Sequence, residues 1–163
     1  MDADCMITVK YLQNIPLSLE QSWDFFSSPA NLKILTPEHL GFEITNDLGD
    51  RKMYPGQIIS YKVRPIFNIP LEWVSEITHV QKPYYFVDEQ RFGPYKYWHH
   101  EHHFKSIPNG VESMDIIYFK MPLGFIGNAF FKFKVKKDLE KIFSYRREKL
   151  EKLFGPYLEK KKI

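Results

Sequence analysis

The sequence predicts an α+β fold in which a curved antiparallel sheet of about six to seven strands wraps on one long C-terminal helix. Residues 42–119 alternate β-branched or aromatic residues with polar ones between short Pro- and Gly-containing turns, a pattern typical of consecutive antiparallel strands. Two short helical patterns follow the first strand. From about Asn128 to Leu158, apolar residues recur at spacings of three and four, so this helix has an apolar face that the sheet can cover.

The N-terminal part is predicted to contain one strand and two short helices. Met6–Leu12 is β-branched and alternating, which favours a strand. Ser18 and Gln21 have the spacing of a capping box before an apolar run, so a helix is expected over about residues 19–26. A second short helix is expected over residues 29–35, because proline is favoured in the first helical turn.

The strands of the central region are separated by turn signals, of which Gly93-Pro94 and Asn109-Gly110 are the clearest. The expected strands are Phe42–Thr45, Gln57–Val63, Leu71–Val80, Tyr84–Phe92, Tyr95–Ile107 and Val111–Phe119. The pair Gly155-Pro156 is expected to kink or end the long helix, because proline disfavours the helical conformation of the residue before it.

The composition predicts one domain over residues 1–163. A chain of this length buries about two thirds of its unfolded surface, and 44% of its residues are hydrophobic. The net charge of +3 is too weak for a nucleic-acid-binding surface. The single cysteine, Cys5, cannot form an internal disulfide. Motifs of kinases, dehydrogenases, serine hydrolases and metalloproteases are missing from the sequence.

The sequence also predicts a cytoplasmic protein without stable membrane insertion. The first residues, MDADCMITVKYL, do not contain a basic region followed by a long apolar run, as a signal peptide would. No window approaches the roughly 18 apolar residues of a transmembrane helix. The oligomeric state is left open.

Two of the predicted strands, joined by Gly93-Pro94, carry titratable groups among large aromatic residues. Side chains in a strand alternate between its two faces. One face of the first strand carries Phe86, Asp88, Gln90 and Phe92, and one face of the second carries Trp98, His100, His102 and Phe104. Buried polar groups are costly unless they are paired, so a mixed face of this kind is typical of a cavity wall or a polar network.

An even register across this turn would place Asp88 opposite His100 and Phe86 opposite His102. Asp88 could then accept a hydrogen bond from His100 and raise its pKa. Three interpretations stay open: a polar ladder that fixes the strand register, a contact to a bound ligand without catalysis, and a general acid–base pair. In the last case Asp88 and His100 are the candidate catalytic residues.

The same position also offers donor atoms for a metal ion. His100 and His102 would have Cα atoms about 7 Å apart on one strand face, and Asp88 or Asp115 could be a third ligand. The sequence offers no cysteine ligand nearby, and we predict neither a metal nor another cofactor. His99 and His103 are expected on the opposite face.

A set of aromatic, small and polar residues spread over nearly the whole chain carries a family resemblance: Tyr54, Gly56, Gln57, Ile59, Tyr61, Trp73, Ile77, Phe86, Val87, Asp88, Gln90, Gly93, Pro94, Tyr95, Trp98, His100, His102, Phe104, Asp115, Tyr118, Pro122, Gly124, Tyr145 and Arg146. On these residues the chain resembles the helix-grip fold of the START and pollen-allergen-like superfamily, also called SRPBCC, and within it a bacterial branch described as polyketide-cyclase-like or ligand-binding. The resemblance implies a binder of hydrophobic ligands, a lipid carrier or a cyclase.

We therefore predict that a small hydrophobic or amphipathic ligand, either a lipid or an aromatic metabolite, binds between the sheet and the C-terminal helix. Pro65–Pro70 and Pro122–Gly127 could gate the entrance. Arg146 is expected either to face the cavity or to form a structural ion pair with a carboxylate such as Asp115. The predicted ligand-binding residues are Tyr61, Trp73, Phe86, Asp88, Gln90, Trp98, His100, His102, Phe104, Asp115, Tyr118 and Arg146.

Two other functions are kept as alternatives. One is an enzyme of the cyclase or dehydratase type, in which Asp88 and His100 move protons. The other is an interaction module that docks on a partner protein or a bilayer through the Phe-rich segment Phe125–Phe133.

Overall fold

The computed structural model describes residues 6–66, 69–121 and 128–159. Within these ranges the chain forms a seven-stranded sheet in the order β1-β7-β6-β5-β4-β3-β2, and all neighbouring strands are antiparallel. The strands are β1 (Ile7–Ile15), β2 (Glu43–Ile44), β3 (Gln57–Ile66), β4 (Ile69–Gln81), β5 (Tyr85–Phe92), β6 (Tyr97–Ile107) and β7 (Gly110–Lys120). The predicted architecture is confirmed.

The short helix α1 (Leu19–Phe26) begins with the predicted capping box. The backbone N–H of Ser18 donates to Oε1 of Gln21 at 2.9 Å, and the backbone N–H of Gln21 donates to Oγ of Ser18 at 3.2 Å. The second predicted helix is shorter than expected, because only Pro29–Leu32 is helical, as a 3₁₀ turn. A further 3₁₀ turn, Glu38–Leu40, was not predicted.

The long helix α2 (Asn128–Phe154) ends four residues before the predicted end. Gly155 has a φ of +86°, a left-handed conformation that glycine adopts without steric cost. Its N–H donates to the carbonyl oxygen of Glu151 at 2.9 Å. The Gly155-Pro156 pair therefore ends the helix. In the described part of the chain, no helix is long and apolar enough to cross a membrane.

Two clusters of buried apolar residues hold the sheet and the helices together. The cluster beside α1 includes Ile15, Trp23, Phe26, Phe86 and Phe104. The cluster beside α2 includes Trp73, Trp98, Ile117, Phe119, Val135 and Leu139. The sheet thus packs against both helices, and the apolar stripe of α2 faces the sheet.

The register of β5 and β6 decides which side chains meet in the site. Asp88 lies opposite His100 and Phe86 lies opposite His102, which confirms the predicted register. The turn between these strands is closely packed: a Cβ atom at Gly93 would lie 2.5 Å from Oε1 of Gln90 and would displace that side chain.

Three segments named from the sequence fall wholly or partly outside the described residues. Pro122–Gly127 is outside them, and Phe125–Phe133 and Pro65–Pro70 are partly outside. Phe133 itself is described, and 70% of its surface is exposed.

Candidate functional site

A cavity with a volume of about 180 Å³ lies between the sheet and α2. Its walls come from β3, β4, β5, β6 and β7 on one side, from Leu139, Ile142 and Phe143 of α2 on the other, and from the segment that contains Leu32 and Leu40. Eight of the predicted site residues line it: Tyr61, Trp73, Phe86, Asp88, Trp98, His100, His102 and Arg146.

One end of the cavity is an aromatic wall formed by Tyr61, Trp73, Tyr95 and Trp98. The indole rings of Trp73 and Trp98 meet edge to face with their centroids 5.3 Å apart, and Tyr95 lies 4.8 Å from Trp98. Tyr61 stacks on Trp73 at 5.9 Å. The hydroxyl of Ser75 accepts a hydrogen bond from Nε1 of Trp73 at 3.2 Å. These rings give a flat apolar surface with hydroxyl groups at its edge.

The other end is lined by Asp88, His100, His102 and Arg146. Together with Asp115, which lies behind the histidines, they form a group of charged and polar side chains that we call the inner cluster. Oδ1 of Asp115 accepts hydrogen bonds from Nε2 of His100 and Nδ1 of His102, each at 2.9 Å. Oδ2 of Asp88 lies 2.9 Å from Nε2 of His102. Every described contact of Asp88 in this cluster uses Oδ2.

The prediction of a hydrogen bond between Asp88 and His100 is wrong, although the two residues lie opposite each other. Oδ2 of Asp88 lies 3.6 Å from Nδ1 of His100, which is too long for a hydrogen bond. Asp88 instead contacts His102, its diagonal neighbour, because the sheet is twisted and diagonal side chains come within reach. His100 turns to Asp115 on the neighbouring strand β7.

Arg146 of α2 joins the helix to this cluster. Its Nη1 donates to Oδ1 of Asp115 at 3.1 Å, so the predicted ion pair with this carboxylate is present. The guanidinium also lies over the ring of Phe143, 4.7 Å from the ring centroid. Its Nε is buried and has no hydrogen-bond partner in the described part of the protein. Arg146 both lines the cavity and balances the charge of Asp115.

The electrostatics of the inner cluster follow from burial and from these contacts. Burial raises the pKa of Asp115, but Arg146 and the two imidazoles outweigh burial and hold it well below its usual value. Burial also raises the pKa of Asp88, but His102 and His100 outweigh burial and lower it. Burial lowers the pKa of His102, but its bonds to Asp115 and Asp88 raise it above the ordinary value. Burial and the neighbouring His102 keep the pKa of His100 below its usual value.

Four of the predicted site residues are not among the described cavity-lining residues. Gln90 holds the β5–β6 turn, because its Nε2 donates to the carbonyl oxygen of Tyr95 at 2.7 Å. Phe104 packs in the cluster beside α1. Asp115 lies behind the two histidines and borders a second, more polar groove beside β1. Tyr118 pairs with His99 and therefore lies on the outer face of the sheet.

The outer face of the same strands carries a row of ion pairs that we call the outer ladder, formed by Glu76, Glu89, Arg91, His99, Glu101 and His103. His99 contacts Glu89 at 2.8 Å and Glu101 at 3.3 Å, and His103 contacts Glu101 at 2.7 Å. His99 and His103 therefore point away from the inner cluster, as predicted. Glu76 lies on the same face and pairs with Arg91 at 2.6 Å.

Several cavity residues were missed in the sequence. Ser75 and Ile77 follow Trp73 with the period of two that defines one strand face, so the alternation could have found them. Tyr95 was placed in a strand, but it lies in the turn before β6, and its side chain folds back onto Trp98. Leu139 and Phe143 were expected on the apolar stripe of α2, but the sequence did not show which turns of the helix face the cavity.

No protein-family model and no curated protein matches this chain. Solved structures do match it. A START superfamily protein from Mycobacterium smegmatis is 12% identical, with a TM-score of 0.65 over 90% of this chain and 98% of that one. Ara h 8.0201 is 11% identical, with a TM-score of 0.62 over 92% and 98%. A protein from Chromobacterium violaceum is 10% identical, with a TM-score of 0.69 over 92% and 98%.

At these identities the likeness shows the fold alone. The chain has the helix-grip fold that the START superfamily protein also has, with a curved antiparallel sheet against a long C-terminal helix. The fold expected from the sequence resemblance is confirmed. Fold does not assign a function, which depends on the side chains that line the cavity.

Proposed function

We propose that the protein binds a small amphipathic molecule in the cavity between the sheet and α2. The apolar part of the ligand lies against the aromatic wall, and its polar group points toward Asp88, His100 and His102. The single observation that carries this proposal is one cavity with an aromatic end and a polar end. Ligand sites are commonly apolar hollows with a few well-placed polar groups.

The size of the cavity favours an aromatic metabolite over a long-chain lipid. A closed apolar cavity of about 150 Å³ holds one benzene molecule, and the volume here is about 180 Å³. A ligand with about one or two rings therefore fits with little rearrangement. A long acyl chain would need α2 or the neighbouring loops to move outward.

The three tryptophans allow a direct test by fluorescence. Trp73 and Trp98 line the cavity, and Trp23 belongs to the apolar cluster beside α1. In a Trp23→Phe variant, all tryptophan emission comes from the cavity wall. We expect 2-naphthol, a neutral two-ring probe, to change this emission saturably, while decanoate has a weaker effect.

The matched control keeps only Trp23, through the double change Trp73→Phe and Trp98→Phe. Its emission should respond little to 2-naphthol, because its reporter is not on the cavity wall. Equal responses from both proteins, or no saturable response from either, would contradict the proposed binding site.

An acid–base enzyme of the cyclase or dehydratase type is the second candidate. One observation favours it: Asp88 and His102 contact each other at 2.9 Å, and both line the cavity. Such a pair could move a proton to or from a bound substrate. The test is the variant His102→Gln, with ligand retention and turnover of an identified substrate measured together. Unchanged turnover with ligand still bound would exclude this function.

A further inference from the structure

Asp115 fixes which ring nitrogen of each inner histidine carries a proton. Its Oδ1 is paired with Arg146 and lies 2.9 Å from Nε2 of His100 and from Nδ1 of His102. An ionised carboxylate can only accept hydrogen bonds, so both of these nitrogens must donate. In the neutral form of each ring, the other nitrogen, Nδ1 of His100 and Nε2 of His102, then carries a lone pair.

Both of these nitrogens face the same oxygen atom. Oδ2 of Asp88 lies 2.9 Å from Nε2 of His102 and 3.6 Å from Nδ1 of His100. When both rings are neutral, three hydrogen-bond acceptors converge in a buried place, and they repel one another unless a cation lies between them. One extra proton on His102 would satisfy only the Asp88–His102 pair. It would leave Nδ1 of His100 facing a carboxylate without a donor.

Two of the three separations between the ligand atoms are close to those found around a metal ion. Bonds of about 2.1 Å to one ion place neighbouring ligand atoms about 3.0 to 3.4 Å apart in octahedral or tetrahedral geometry. The two distances to Oδ2 of Asp88 bracket this range. One ligand atom from each of Asp88, His100 and His102 lies within 4.8 Å of the others.

We propose that Asp88, His100 and His102 bind one divalent first-row transition metal ion at the polar end of the cavity. Two imidazoles and one carboxylate, with the remaining positions open, form a donor set that suits Fe²⁺ and also Zn²⁺. Asp115 is the positioning residue, because it accepts the second N–H of both imidazoles, as carboxylates beside metal-bound histidines commonly do.

The open side of the site faces the cavity. All three ligand residues line the cavity, whereas Asp115 borders the groove behind them. Asp88, Asp115 and Arg146 together carry one negative charge, so a divalent ion leaves the site with one positive charge. An anionic oxygen of a bound ligand would complete the coordination. This last preference rests on the proposed function, but the metal site itself does not.

Titration of the full chain with Zn²⁺ alone tests the site. After treatment with a chelator and dialysis, we expect the protein to bind one equivalent of Zn²⁺ in a calorimetric titration. The variants Asp88→Asn and His100→Gln should lose this binding. The variant Asp115→Asn keeps all three ligands, and we expect it to bind about 10- to 100-fold more weakly.

The outer ladder supplies the matched control. His99 and His103 lie on the same strand as the ligands, but on the opposite face and beside Glu101. The double variant His99→Gln and His103→Gln should bind Zn²⁺ as tightly as the unmodified protein. In addition, one equivalent of Zn²⁺ should shift the ¹⁵N resonances of Nδ1 of His100 and Nε2 of His102, a measurement that needs no variant to fold.

The results that would overturn the metal site are equally specific. One is failure of the unmodified protein to bind Zn²⁺ or Co²⁺. The other is Zn²⁺ binding that persists in Asp88→Asn and disappears in the double variant, which would place the ion on the outer face. Neither result bears on 2-naphthol binding, so the metal site and the proposed ligand site can fail separately.

Discussion

The two faces of β6 carry the same chemistry in different surroundings. On the inner face, His100 and His102 contact aspartates, and 9% of each side chain is exposed. On the outer face, His99 and His103 contact glutamates, with 20% and 33% exposed. Strand alternation alone separates the two sets, since neighbouring residues point to opposite sides of the sheet.

Burial therefore decides what a histidine–carboxylate pair does. On the outer face water can replace any partner, so the pairs add little stability. On the inner face each donor and acceptor must have a partner within the protein, because an unpaired buried charge is costly. Substitution of any member of such a cluster therefore lowers stability. The cluster can also hold a cation or a ligand group in a defined position.

Removing the charge of one carboxylate should give the largest difference in stability between the inner and the outer face. Asp115→Asn leaves Arg146 and the inner histidines without their shared anion, and we expect it to lower the free energy of unfolding by about 3 kcal/mol or more. Glu101→Gln on the outer face should cost at most about 1 kcal/mol. Urea denaturation at pH 7 with a chelator present measures both. Equal costs would mean that burial does not distinguish the two faces.

Acid should reduce the cost of Asp115→Asn. The pKa of Asp115 lies well below its usual value of 3.8 in the folded protein. The ionised form of Asp115 therefore contributes its full stability above about pH 3.8, the ordinary pKa that also applies to the unfolded chain. This contribution is lost as the pH falls from there toward the pKa of the folded state. We expect the difference in unfolding free energy between the unmodified protein and Asp115→Asn to shrink below pH 3.8. A difference that stays constant down to pH 2 would contradict this expectation.

Changing the length of a carboxylate should have a smaller effect, again on the inner face. Asp115→Glu inserts one methylene group into a packed site, which we expect to cost about 1–3 kcal/mol. The reverse change on the outer face, Glu101→Asp, should stay within about 0.5 kcal/mol. Thermal unfolding of the two variants gives the comparison. A neutral Asp115→Glu variant would show that the inner cluster has spare room.

High salt should give the smallest change in unfolding free energy, and it should act on the outer face only. At 1 M ionic strength the screening length is about 3 Å, so the exposed pairs of Glu101 lose most of their attraction. We expect the small cost of Glu101→Gln to vanish in 1 M NaCl and the cost of Asp115→Asn to remain. Denaturation at low and high salt measures both, and loss of the Asp115→Asn effect at high salt would place that carboxylate in contact with solvent.

Much of the fold could be predicted because local signals agree with it. The capping box at Ser18, the Gly93-Pro94 turn and the stripe on α2 each fix one element, and the alternation of β5 and β6 fixed the pairing of Asp88 with His100. The placement of Tyr118 in the predicted ligand site was wrong and could have been avoided. Tyr118 is three residues from Asp115 in one strand, so the two side chains cannot share a face.

The rest depended on three-dimensional features that no local pattern contains. The diagonal contact of Asp88 with His102 results from the twist of the sheet. The position of Asp115 behind both histidines needs the pairing of β6 with β7 as well as that of β5 with β6. The volume of the cavity depends on how closely α2 approaches the sheet, and this distance is set by the packing of the whole helix.

The central claim is that the sheet and α2 enclose a hollow that receives a ligand. Leu139 lies on the α2 side of this hollow, so Leu139→Trp should fill it. A calorimetric titration of this variant with 2-naphthol is the most direct test. We expect saturable binding by the unmodified protein and none by a folded Leu139→Trp variant. Binding of unchanged strength in that variant would show that the probe binds elsewhere and would contradict the claim.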